Sequence, residues 1–279
     1  MNTNKGTLRQ EAKSQARNAR PWLERLARLG FLAKGLVYTT VGALAVQAAF
    51  GSGGQTTDTQ GAVQVIAQQP FGQVLLAILS LGFVSYGLWR FMQAVVNPAG
   101  RDGAKSVVAR SGFAVSGVIH LALAATAIGL LIGSSAASEN TEQSMAARLL
   151  AVPFGRWLVG LVGLAIIGGG LFQLAKAYRA DFRKALKLGE MSQAAKTWAT
   201  RAGRVGYTAR GIVFTLIGIF LVQAALQADA SEAQGLGGAL QTLQEQPYGP
   251  YLLGGVALGF ILYGLYMVVE ARYRDVYAE

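Results

Sequence analysis

Residues 28–50 read RLGFLAKGLVYTTVGALAVQAAF and residues 70–96 read PFGQVLLAILSLGFVSYGLWRFMQAVV. From Phe31 to Phe50 the first stretch is a run of 20 residues broken by one charge, Lys34. About 20 apolar residues in a helix cover the roughly 30 Å hydrocarbon core of a bilayer. The second stretch is longer and equally apolar. Four more such runs follow, over 112–133, 154–177, 207–227 and 248–269. The whole chain of 279 residues is 52% apolar and only 14% charged, where a soluble domain carries about 25% charge. Six spans leave too little charged sequence to cover a water-soluble core, and too much apolar mass for disorder. The reading is an all-α polytopic membrane protein with six transmembrane helices.

The charges give a direction. Lys and Arg outnumber Asp and Glu by 25 to 14. Nearly all of the basic residues fall on one side of the six spans: in the tail before span one, around Arg101–Arg110, across Lys176–Arg204, and in the tail after span six. Only Arg148 and Arg156 fall on the other side. Loops enriched in Lys and Arg are cytoplasmic, so both termini are expected in the cytoplasm and the protein in a bacterial plasma membrane. The first 29 residues lack the apolar core of a cleavable signal. Trp22, Leu23, Leu26 and Leu29 share one helical face beside Arg25 and Arg28. They read either as a short helix on the surface of anionic lipid or as a plain basic flank.

The chain also repeats. Arg-x-Gly-aromatic-x-x-x-Gly opens the odd spans, as Arg28, Gly30, Phe31 and Gly35, as Arg110, Gly112, Phe113 and Gly117, and as Arg204, Gly206, Tyr207 and Gly211. Pro-aromatic-Gly opens the even spans, as Pro70, Phe71 and Gly72, as Pro153, Phe154 and Gly155, and as Pro247, Tyr248 and Gly249. A further glycine follows each proline at one fixed spacing: Gly87, Gly170 and Gly264. The Arg is expected to reach lipid phosphates and the aromatic to sit at the interface. The glycines let helices approach closely, and the Pro stands in a first helical turn, where no amide is needed. A short amphipathic helix is expected before each Pro. These repeats divide the chain into a basic tail (1–24), repeat 1 (25–100, spans 31–50 and 71–96), repeat 2 (101–184, spans 112–133 and 154–177), a basic linker (185–200), repeat 3 (201–272, spans 207–227 and 248–269) and a tail (273–279). Each repeat holds an even number of spans, so the three are parallel. Six helices around a pseudo-three-fold axis are expected.

These two motifs, recurring in three tandem hairpins over about residues 25–275, resemble the DUF1206 family of bacterial membrane proteins. The resemblance implies an inner-membrane protein of two-helix units and carries no activity with it. Mitochondrial carriers share the three-repeat plan, but their Pro-x-acid-x-x-basic signature is absent here, so the likeness stops at architecture.

Candidate sites are few. There is no Cys and one His, which excludes thiol chemistry and a multi-histidine metal site. Lys34 and Arg210 hold equivalent positions, with Ser116 in the second copy. They read either as snorkelling edge cations or as a pathway or lipid-contact pair. His120, equivalent to Tyr38 and Phe214, reads either as a packing residue or as a titrating one. Arg90, Gln93 and Glu270 are expected to be interfacial, and Gly168-Gly169-Gly170 to be a close-packing run. No Ser/His/Asp set exists and the carboxylates are scattered, so no enzyme, no cofactor and no metal is expected. The leading reading is a structural or interaction protein whose basic face meets anionic lipid, with a protein partner or a second copy also open and no role for nucleic acid. The alternative is a small channel or carrier for an anionic or lipid-like solute, running between the hairpins past Lys34, Ser116, His120 and Arg210.

Overall fold

The computed structural model describes residues 3–51, 56–96, 103–134 and 141–275. Arg101 and residues 276–279 lie outside them, as do the side chains of Lys5, Arg9, Lys13, Arg17, Arg20, Leu23 and Lys105. The described residues form nine α-helices: α1 (Thr3–Ala49), α2 (Thr59–Ala67), α3 (Gly72–Val96), α4 (Gly103–Leu131), α5 (Thr141–Leu150), α6 (Gly155–Arg179), α7 (Gln193–Gln227), α8 (Leu236–Glu245) and α9 (Gly249–Tyr273). Six of these, α1, α3, α4, α6, α7 and α9, are long and apolar enough to cross a membrane. The N-terminal amphipathic segment is not a separate surface helix. It runs without a break into the first span as α1, since no Gly or Pro between Trp22 and Leu29 stops it. Much of the supposed basic linker is likewise the first turns of α7, which starts at Gln193 behind an N-cap bond from Ser192.

The three short helices stand where the amphipathic stretches predict them, as α2, α5 and α8. Each leads into the next span through the same turn. The N–H groups of Gly72, Gly155 and Gly249 donate to the carbonyls of Gln69, Val152 and Gln246 at 2.8, 2.9 and 2.7 Å. Pro stands second in each turn and the aromatic third, with φ of 63° at Phe71 and Phe154 and 62° at Tyr248. That is the arrangement of a type II turn. The prolines therefore lie in a turn before the helix, not in its first turn as expected. The glycine is required for a different reason. A Cβ on Gly72, Gly155 or Gly249 would run into the carbonyl of Ala67, Leu149 or Gln244, at the end of the preceding short helix.

Packing between spans follows the glycines. A Cβ on Gly35 would lie 2.9 Å from the Gly264 carbonyl oxygen, one on Gly117 3.2 Å from that of Gly87, and one on Gly211 3.0 Å from that of Gly170. So α1 packs on α9, α4 on α3 and α7 on α6, each seam joining one repeat to the next by the same two motif glycines. Close backbone approach of this kind is how membrane helices gain dispersion energy where lipid offers no hydrophobic drive.

The seams within repeats are not equivalent. In repeat 1, α1 packs on α3, with Gly30 under Tyr86; in repeat 3, α7 packs on α9, with Gly206 under Tyr263. In repeat 2, α4 and α6 do not pack along one another, and neither Gly112 nor Gly169 has any neighbour within 4 Å of where a Cβ would stand. The equivalent residues Val37 and Val213 are 1% and 0% exposed, while Ile119 is 52% exposed. Ala33 and Ala209 are 3% and 4% exposed against 58% for Val115. The described bundle is therefore an arc in the order α4, α3, α1, α9, α7, α6, open between its two ends. The three seams between repeats all form but only two of the three within repeats do, so the expected three-fold axis does not describe the whole bundle.

Candidate functional site

The odd-span cations and the even-span tyrosines build the site. Lys34 lies six residues beyond Arg28 on α1, about 9 Å further along the helix axis. Its Nζ donates to the Tyr86 hydroxyl at 3.1 Å and lies 4.5 Å from that ring's centre. Arg210, its equivalent on α7, donates to the Tyr263 hydroxyl at 2.5 Å. Its guanidinium also stands over the rings of Tyr263, Phe214 and Tyr38, at 4.5, 5.1 and 5.2 Å. The two tyrosines occupy equivalent places, three residues before Trp89 and Tyr266. Gly30 and Gly206 make room for them, since a Cβ on either would overlap the Tyr backbone or Cβ.

Lys34 is therefore not a snorkelling edge residue. It is 8% exposed and held by a hydroxyl inside the bundle. Neither Lys34 nor Arg210 forms an ion pair with a carboxylate among the described residues. The buried acid on the last span, Glu270, is bound by Arg274 at 2.7 Å and by the Tyr266 hydroxyl at 3.0 Å. Glu270 and Gln93 are buried, not interfacial; Gln93 accepts from Arg90 at 2.7 Å. These pairings join residues three or four apart on one helix, and equal spacing from the turn proline places Gln93, Lys176 and Glu270 at one repeat position.

His120 takes the place its aromatic equivalents imply. Its ring centre lies 4.4 Å from that of Tyr86 and 6.1 Å from that of Phe83, as Tyr38 lies against Tyr263 and Phe260. Its Nδ1 is 2.7 Å from the Ser116 carbonyl oxygen, which is the only role the structure gives Ser116 in the cluster. Of the glycine run, only Gly170 packs closely, against Gly211 and Thr215; Gly168 and Gly169 face open space. The motif aromatics also divide. Phe31 and Tyr207 are buried in the core, while Phe71, Phe154 and Tyr248 project outward. Arg28 pairs with Glu24, Arg110 donates to the Ala94 carbonyl at 2.5 Å, and Arg204 is exposed.

Both ends of the bundle are covered. At the basic end, the segment between α6 and α7 folds over α9. Phe182 stacks on Tyr207 at 5.3 Å, Leu186 bridges to Arg274, and Lys187 binds Glu24 at 2.8 Å, which raises the Lys187 pKa. At the far end, Asp58 caps α2 through the Gly61 N–H at 2.7 Å. There Glu142 of α5 reaches Gly235 at the start of α8, and burial, with Asp58 nearby, raises its pKa.

Six apolar spans, covered ends and a buried cation–tyrosine cluster define a polytopic helical membrane protein. Its family follows from comparison. The family described as "Domain of Unknown Function (DUF1206)" matches residues 29–97, 111–180 and 205–274, and the chain belongs to it. A relative from Bacillus subtilis (strain 168), "Uncharacterized protein YxxB", is 34% identical over 256 residues, covering 91% of this chain and 92% of its own. No solved structure matches.

Proposed function

We propose that this protein is a non-enzymatic binding protein of the bacterial plasma membrane, with both termini cytoplasmic, that holds the headgroup of an anionic lipid at Lys34 and Arg210. One observation carries the reading. Lys34 and Arg210 sit inside the bundle with tyrosine hydroxyls and rings as their partners, Arg90 sharing the Tyr86 hydroxyl, and neither Lys34 nor Arg210 pairs with a carboxylate among the described residues. Burying a charge is costly unless an opposite charge answers it. Anionic lipid is the abundant counter-charge at the cytoplasmic leaflet. A catalytic role has little support, because Glu270, the buried acid of the last span, is bound by Arg274. A channel or carrier is less well supported than binding: Tyr86, Tyr263 and Tyr266 fill the middle of the bundle and are fully buried.

The test is thermal unfolding in nanodiscs of phosphatidylcholine with increasing phosphatidylglycerol. Phosphatidylglycerol is expected to stabilise the native chain. The Lys34→Gln/Arg210→Gln variant is expected to lose that response, by about fivefold in apparent lipid affinity per charge. An equal loss in Arg28→Gln/Arg204→Gln would assign the preference to the membrane-surface arginines and refute the buried pair.

A further inference from the structure

We infer that the open seam between α4 and α6 is a lateral binding groove for the acyl chain of a bilayer phospholipid, the same lipid whose headgroup meets Lys34 and Arg210. The inference rests on that headgroup reading and extends it. In repeats 1 and 3 a tyrosine fills the space between the two helices of the hairpin: Tyr86 over Gly30 and Tyr263 over Gly206. The same tyrosine meets a ring from the following repeat, His120 for Tyr86 and Tyr38 for Tyr263. Repeat 2 has Gly169 at that position and Gly112 opposite, both with open space around them. The ring that the third tyrosine would meet is Phe214, which has the Arg210 guanidinium 5.1 Å away and no ring partner among the described residues. Repeat 2 also lacks the cation that would bind a tyrosine, having Ser116 instead. Both halves of the pair that closes the other hairpins are thus missing from the one hairpin that stays open.

What the groove offers fits one occupant. Its walls are the exposed apolar side chains Val115 and Ile119 on α4 and Val162 and Phe172 on α6, at bilayer depth on spans that cross the membrane. Behind the walls stands Arg210, whose Nε is buried and without a hydrogen-bond partner. An apolar slot leading to unanswered positive charge suits a chain with an anionic head. A transmembrane helix of a partner or a second copy would fill the slot and leave the cations unanswered.

The chain has no native cysteine, so the groove can be probed one site at a time. Ile119→Cys places a benzophenone photocrosslinker in the groove. Leu164→Cys places one at a position exposed in all three repeats, as Leu81 and Leu258 are. In bilayers of mixed phosphatidylglycerol and phosphatidylcholine, the Ile119 probe is expected to capture phosphatidylglycerol about fivefold above its bulk fraction, and the Leu164 probe to report the bulk. Val115→Ala/Gly169→Tyr restores the Ala and Tyr of the closed hairpins without changing charge. It is expected to abolish the enrichment at Ile119. Bulk-like capture at Ile119, in a chain whose Lys34 and Arg210 still confer the phosphatidylglycerol response, would overturn the groove alone. Loss of both would overturn the headgroup reading as well. Capture of a second copy at Ile119 would overturn the groove in favour of an interface.

Discussion

Lys34 shows how a single position separates stability from binding. Its charge costs desolvation free energy and is answered by one hydroxyl. Replacing a buried charge by an apolar group of similar length is neutral or stabilising, by up to about 4 kcal/mol. Lys34→Met is therefore expected to match or exceed the native melting temperature in phosphatidylcholine while its response to phosphatidylglycerol weakens about fivefold, Arg210 remaining. Tyr86→Phe should do the opposite to stability. It takes the acceptor from Lys34 and also from Arg90, which donates to the same hydroxyl at 2.6 and 3.0 Å, at a cost of about 1–3 kcal/mol for each; thermal scans of both variants in one lipid are expected to show opposite signs. Glu142 offers a pH test. Burial raises its pKa, so the folded state binds the proton more tightly than the unfolded one. Its contribution is then fully present below the unfolded value and is lost as pH rises through the folded value. Stability is expected to fall from about pH 4 upward over that window, and Glu142→Gln to flatten the fall. The carboxylate of Asp58 lies nearby, so the comparison is made against the native chain over pH 4–7 by thermal unfolding. Unchanged pH dependence in Glu142→Gln would reject the assignment.

At the scale of elements, the glycine run in α6 gives the clearest contrast. Gly168 and Gly169 have open space where a Cβ would go, whereas a Cβ on Gly170 would press on the Gly211 carbonyl and the Thr215 backbone at 2.8 Å each. Gly168→Ala and Gly169→Ala are expected to stabilise α6 by up to about 1 kcal/mol through helix propensity. Gly170→Ala is expected to destabilise by about 1–3 kcal/mol because two backbones must separate; denaturation in one detergent compares all three. The sequence displays the run but not this division, because an isolated Gly-Gly-Gly looks the same whichever side the neighbour stands on. Its repeat position does carry the signal: Gly170 aligns with Gly87 and Gly264, the residues of the other two seams, and Gly169 aligns with Tyr86 and Tyr263. Spans and short helices were legible for a simpler reason, since hydropathy and 3.6-residue spacing are local. The Pro-aromatic-Gly turn was legible as a motif and misplaced as a structure. Pro fits both a type II turn and a first helical turn, and only the positive φ of the next residue distinguishes them.

For the whole molecule, the question is why one sequence with three equal motifs builds an unequal bundle. The glycine pairs between repeats, Gly35 with Gly264, Gly87 with Gly117 and Gly170 with Gly211, are all kept, and so are all three turns. The pairs within repeats depend on Tyr86 and Tyr263 and on the cations that bind them, and repeat 2 lacks both. Motif counting could not show this, because Lys34, Ser116 and Arg210 stand at an unspecified position of the odd-span motif and Tyr86, Gly169 and Tyr263 lie outside both motifs. The asymmetry also bears on direction in the membrane. The basic end is where Lys187, Glu24, Arg274 and Glu270 tie the segment after α6 to α1 and α9, and the far end holds Asp58 and Glu142 beside the three short helices. If the basic end is cytoplasmic, as we propose from loop charge, single cysteines at Lys196 and Arg272 should react with an impermeant maleimide only after the membrane is opened. Cysteines at Ser144 and Gln241, exposed on α5 and α8, should react in intact cells. The same four sites report on α1 as well. Because α1 runs unbroken into its span and packs on α9, an inverted pattern at all four would turn Lys34 and Arg210 toward the outer leaflet. An anionic headgroup of the cytoplasmic leaflet could then no longer be their counter-charge.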